Sequence, residues 1–150
     1  MNSNENLSVK GKLNIVITDA QGNLKEERLV DNLVVSSGIQ YILARAGTSP
    51  PTAMTHMGVG TGSTAAAAGN TTLGTPQGAR IALTSTTANA TTIVYASTFG
   101  PGVSTGALTE AGIFSDVSAG TMLCRTVFLV VNKGAGDSMT ITWTVTLTAV

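Results

Sequence analysis

Near the end of the chain five large apolar residues, Met139, Ile141, Trp143, Val145 and Leu147, alternate without a break with Thr140, Thr142, Thr144 and Thr146. A period of two puts the apolar set on one face of a strand and the threonines on the other. One face is therefore expected in a core and the other in water or an interface. A similar alternation sets Leu13, Ile15 and Ile17 against Asn14, Val16 and Thr18. Turn-forming residues fill 19–23, and 24–30 returns as a more charged partner strand, which predicts a hairpin. Residues 122–131 are apolar on both faces and predict a strand lying centrally in its sheet.

Between these segments the period changes. Ile39, Ile42 and Leu43 recur at helical spacing after Ser36 and Ser37, either of which can cap, so a short helix is expected over 37–46. Residues 47–78 are dominated by Gly, Thr, Ala, Ser and Pro and predict a long, ordered surface loop, with 57–60 its one strand. Residues 79–86 and 91–99 predict a second hairpin turning at 88–90, and 110–114 a short strand. Seven or eight short strands joined by Gly-rich turns, with no βαβ rhythm, predict an all-β domain. The expected architecture is a β-sandwich or jelly-roll-like fold with one short helix. Residues 1–10 lack apolar periodicity and are expected to be a flexible N-terminal arm on a single domain spanning 11–150.

At 150 residues the chain can bury a core without disulfides, and its single cysteine, Cys124, excludes an internal disulfide framework. Charged residues make up only 11% of the chain against about 25% in ordinary domains, and threonine, serine and asparagine replace them. Lys and Arg balance Asp and Glu at eight each, so no net field favours nucleic acid or an anionic membrane. No run approaches the roughly 20 apolar residues of a membrane-spanning helix, and the polar start does not read as a secretory leader. Nine charges fall between Glu5 and Asp31, whereas none lies between Arg45 and Arg80 or between Arg80 and Glu110. Surface so poor in charge points to contact with other protein, because interface centres are depleted in Lys, Glu and Asp. Within the charge-free loop Met54, Met57 and Val59 are candidate apolar anchors for such contact.

Catalysis by acid, base or nucleophile needs titratable groups brought together, and the supply is thin: one histidine and eight carboxylates, five of them before residue 32. No catalytic, cofactor-binding or metal site is expected, and the chain does not read as an enzyme. His56 alone cannot form a multi-histidine metal set, and Cys124 between Leu123 and Arg125 reads as a small buried residue. Gly58-Val59-Gly60-Thr61-Gly62-Ser63 has the look of a phosphate loop, but no Lys and no helix pattern follow it, so it reads as a strand entering a tight turn. Glu110, in the apolar run 107–114, must face solvent or find a cation. Solvent is the simpler expectation; the alternative is a buried ion pair with Arg80 or Arg125. Trp143, on the apolar side of its strand, is expected in the core.

Three stretches resemble small structural proteins of tailed bacteriophages: 57–74, beginning Met57-Gly58-Val59-Gly60-Thr61-Gly62; Gly106-Ala107-Leu108-Thr109-Glu110-Ala111-Gly112-Ile113-Phe114; and Gly120-Thr121-Met122-Leu123-Cys124-Arg125-Thr126-Val127-Phe128. The succession through 131–138 and the Thr-alternating strand is similar to virion proteins described as decoration, cement or tail-associated components, and covers roughly residues 11–149. The resemblance implies a non-enzymatic chain made in the host cytoplasm and carried in the virion. It further implies a homotrimer that binds over junctions of the major capsid protein and stabilises the head. A tail, fibre or baseplate component meeting a host receptor is the alternative it leaves open. A carbohydrate-binding module or small hydrolase is disfavoured, because sugar binding leans on exposed aromatics and the chain has six aromatics in all.

Overall fold

The computed structural model describes residues 5–150. Strands β1 (Leu7–Thr18), β2 (Leu24–Val34), β3 (His56–Gly60), β4 (Ile81–Ala82), β5 (Ser85–Asn89), β6 (Thr92–Phe99), β7 (Gly106–Phe114), β8 (Met122–Lys133) and β9 (Ser138–Ala149) accompany one helix, α1 (Ser36–Arg45). All pairings are antiparallel, in the order β4-β3-β7-β8-β2-β1-β9-β6-β5. The sheet curls so that its two halves face one another across one apolar core, an all-β sandwich-like domain.

The period-two strands form because each buries a complete apolar row. Leu13, Ile15 and Ile17 of β1 lie opposite Trp143, Ile141 and Met139 of β9, and all six are buried. Tyr95 and Phe99 continue the row onto β6, while Met57, Val59, Leu108, Ile113 and Val131 supply it from β3, β7 and β8. The turn between β1 and β2 is held by Asp19, whose carboxylate accepts the N–H groups of Gln21 and Asn23 at 2.9 Å each. Gly22 there takes a φ of 82°, a left-handed conformation that glycine adopts without steric cost.

Residues 7–10, expected in a flexible arm, are the first part of β1 and pair with 146–149 of β9. The sequence conceals this because only Leu7 and Val9 alternate there, and the pairing partner lies at the other end of the chain. Asn6 extends the contact, its N–H donating to Val150 O at 3.0 Å and its O accepting Val150 N–H at 2.7 Å, and residues 1–4 of that arm lie outside the described residues.

The expected strand over 79–86 divides in two. Ile81 and Ala82 pair with β3, whereas Ser85–Asn89 pairs with β6, and the chain crosses from one half of the sheet to the other between them. Leu83 N–H donates to Thr55 O on one side of the crossing and Thr84 N–H to Ala96 O on the other. The turn falls at 90–91, one step later than expected, with Ala90 at a φ of 51°.

Helix α1 begins without the expected serine cap. Val35 holds the N-cap position, and the Ser37 hydroxyl donates instead to Met122 O at 2.9 Å, tying the helix to β8. Strand β8 lies between β7 and β2, as its two apolar faces predict, but its ladder to β2 consists of only Leu33↔Arg125 and Val34↔Cys124. Beyond that point β2 and β8 part and leave an open seam between the two halves of the sheet.

Candidate functional site

A buried polar constellation lies on the outer side of β7 and β8, beneath the 61–80 loop. Glu110 of β7 is fully buried and Arg125 of β8 is 2% exposed. Both Nε and Nη2 of Arg125 donate to Glu110 Oε2, at 3.0 and 2.9 Å. Backbone N–H groups complete the shell: Gly62 and Thr75 donate to Oε1 at 3.0 and 2.7 Å, and Gly74 donates to Oε2 at 2.9 Å. The guanidinium's remaining donors hold the same loop, Nη1 on Asn70 Oδ1 and Nη2 on Thr64 O, both at 3.0 Å. Burial alone would raise the Glu110 pKa, but the N–H groups of Thr75 and Gly74, the Arg125 guanidinium and the N–H of Gly62 together hold it below the usual carboxylate value. Glu110 is thus an ion-paired buried staple rather than the solvent-facing residue of the simpler expectation.

The glycines that imitate a phosphate loop serve this carboxylate. A Cβ on Gly62 would lie 2.5 Å from Glu110 Oε1, and one on Gly60 would lie 2.3 Å from Thr75 O and 2.5 Å from Glu110 Oε1. Side chains are excluded at both positions because the backbone must close on an anion that the protein itself supplies. Leu73, carried by the loop, packs with Val35, Phe114 and Met122 into a second apolar cluster. With every acceptor direction of Glu110 filled, the pair offers no free base.

Arg80, the other cation considered for Glu110, lies elsewhere. Its guanidinium sits 3.4 Å from the centroid of the Phe114 ring and donates through Nη1 to Asp116 O at 3.0 Å and Ala119 O at 2.7 Å. Met54, Met57 and Val59 are not surface anchors: they are 5%, 0% and 2% exposed and belong to the core. The physical reason is that β3, the strand expected in this region, is paired on both edges, by β4 and β7, and turns Met57 and Val59 into the core, where Met54 from the segment just before it joins them.

His56 pairs with Phe114 and Ala82 at the start of β3, its Nδ1 2.8 Å from Thr55 Oγ1. Cys124 is wholly buried, and burial pushes its thiol up to about 12, leaving it protonated and inert at neutral pH. Trp143 is in the core. Among the described residues no group of three or more His, Cys, Asp and Glu is placed to hold a metal ion.

A second ionic contact escaped the sequence. Lys25 Nζ of β2 lies 2.6 Å from Asp137 Oδ2 in the β8–β9 turn, and the same oxygen accepts Gly134 N–H at 2.7 Å. These donors hold the Asp137 carboxylate below its usual range. Lys133 is buried, with Nζ on Gly100 O at 2.8 Å. Partners 112 positions apart leave no signal in a linear pattern.

Thr140, Thr142, Thr144 and Thr146 of β9 stand beside Thr98, Ala96, Val94 and Thr92 of β6, and on their other side beside Val16, Asn14, Lys12 and Lys10 of β1, so the charge-free part of this face is its β6–β9 half. No family model matches the chain, nor does any curated protein or solved structure.

Proposed function

We propose that the chain is a non-enzymatic virion structural protein: a capsid decoration protein, trimeric, that binds over junctions between major capsid subunits and stabilises the head. The observation that carries this reading is where the chemistry has gone. Glu110, Arg125, Arg80 and Cys124, four of the few ionisable groups in the charge-poor part of the chain beyond Arg45, are engaged in holding the fold or buried in it. What the surface offers instead is a sheet face of threonine, valine and alanine across β6 and β9. Such a face suits broad contact with protein, and specific contacts of this kind bury about 1,200–2,000 Å² in total. Repetition over a shell multiplies the effect, because a unit touching several subunits engages the later ones at high effective concentration. The phage-like stretches 57–74 and 106–114 fall on the staple and its loop, so what resembles virion proteins is the scaffold itself.

The test is to purify particles made with and without the chain and to image both. Many copies spread over the head, together with earlier rupture of heads that lack them on heating, are expected. A few copies confined to the tail would move the protein to the tail, fibre or baseplate reading. Absence from every particle, or turnover of a glycan by the purified chain, would overturn the proposal.

A further inference from the structure

Helix α1 packs on β8 through Gly38, and Tyr41, Ile42 and Arg45 follow Gly38 on the same helical face. These three look toward β6 and β9, and a pocket of about 330 Å³ lies between them and the sheet. Buried Leu123 and Val145 and half-buried Ile42, Ile93 and Leu147 line it, so its walls continue the apolar core. Two polar groups interrupt that lining. Tyr95 is 4% exposed, and among the described residues no hydrogen bond reaches its hydroxyl; burial raises its pKa with no partner to offset the rise. Arg45 is exposed and is the one charged residue in the lining. Its Nη1 donates to Pro51 O at 2.5 Å, which anchors the side chain and leaves its other N–H groups without a partner among the described residues. Its charge acts on both Tyr41 and Tyr95, so the guanidinium and the two phenols stand within electrostatic reach of one another.

We infer that this pocket is a binding site for a small amphiphilic anion, an aliphatic chain ending in a carboxylate, with the chain among Ile42, Ile93 and Leu147 and the head group accepting hydrogen bonds from Arg45 and Tyr95. Size, polarity and charge each narrow the occupant. The volume falls at the lower end of the about 300–1,000 Å³ of small-molecule sites, which suits a compact ligand. A wholly apolar ligand would leave the Tyr95 hydroxyl buried without a partner, which is costly. A cation would meet Arg45 with no acid in the lining to offset it. A carboxylate answers both groups, because a guanidinium holds it through paired N–H donors and a phenol O–H donates to it as well. Filled by water alone, the pocket would keep its apolar walls wet, and a run of methylene groups removes that surface from solvent.

Octanoate is the probe, titrated into the purified full chain and read by calorimetry and by the fluorescence of Trp143, the single tryptophan, which stands opposite Tyr95 across β6 and β9. One site per chain is expected, with a dissociation constant of about 1 mM or tighter. Octanol keeps the chain without the charge and acetate keeps the charge without the chain; each is expected to bind at least about tenfold more weakly. Arg45→Gln is expected to bring octanoate down to the level of octanol and to leave octanol unchanged. Tyr95→Phe keeps the ring, and is expected to weaken octanoate several-fold without lowering the thermal midpoint, since the hydroxyl has no partner in the protein to lose. Absence of saturable binding, octanol or acetate bound as tightly as octanoate, or a folded Arg45→Gln variant that binds octanoate as the wild type does would overturn the inference. So would a Tyr95→Phe variant of lowered midpoint and unchanged affinity. A ligand held here neither requires nor excludes a place in the virion, so imaging of particles tests the proposed function separately.

Discussion

Removing the charge of Glu110 while keeping its shape, as Glu110→Gln does, leaves the Arg125 guanidinium buried without its counter-ion and turns an amide N–H₂ toward backbone donors. A buried charge that loses its partner costs about 3–5 kcal/mol. Glu110→Gln is therefore expected to lower the urea midpoint sharply and to open residues 61–75 to limited proteolysis. Wild-type stability and protease resistance in this variant would show that the loop is held by Leu73 and the second apolar cluster instead. The sequence marked Glu110, Arg80 and Arg125 as the residues in question, since a carboxylate in an apolar run must be answered. It could not choose between the two cations, nor reveal three backbone donors, because a main-chain N–H carries no residue-specific signal. Only folding brings Gly62, Gly74 and Thr75 to one oxygen pair.

Helix α1 is docked on β8 through a position with no side chain. A Cβ on Gly38 would lie 2.1 Å from Leu123 O, a backbone atom in a strand held from both sides. Gly38→Ala is expected to push α1 off the sheet, because overpacking against backbone costs about 1–3 kcal/mol and here the neighbour has little room to yield. Its readouts are a lower thermal midpoint and faster amide exchange in α1. Gly69→Ala, at a site where a Cβ meets nothing within 4 Å, is the matching control and is expected to leave both unchanged. The helix itself was legible from the spacing of Ile39, Ile42 and Leu43. Its buried face was not: Ile39 and Leu43 are exposed, while Gly38 and Tyr41 face the protein. The apolar stripe that reveals a helix need not be the stripe that docks it, since a close approach favours the smallest residue.

Across the whole molecule the carboxylates Asp19, Glu110, Asp116 and Asp137 all titrate below their ordinary values, held down by backbone N–H groups and, for Glu110 and Asp137, by Arg125 and Lys25. A depressed folded-state pKa means the unfolded chain binds protons first as pH falls. Stability from these groups is therefore complete above the unfolded carboxylate range and is lost as pH drops through the folded values. Thermal midpoints are expected to hold level from neutrality to about pH 5 and to fall steadily below about pH 4. Lys25→Met, which frees Asp137 from its cation, is expected to make the fall shallower; an acid limb identical to the wild type would show that the Lys25 contact has no part in it. The sequence by itself determined the all-β class, the single short helix, the central place of β8 and the core role of Trp143. Each of these follows from local period and composition, which the chain carries whatever its surroundings. Tertiary structure alone decided that residues 7–10 complete β1, that Met54, Met57 and Val59 are core, that Glu110 answers Arg125, and that β2 and β8 part to leave a seam. Those outcomes depend on which strands meet and in what register, and register is set by the simultaneous fit of segments far apart in the chain.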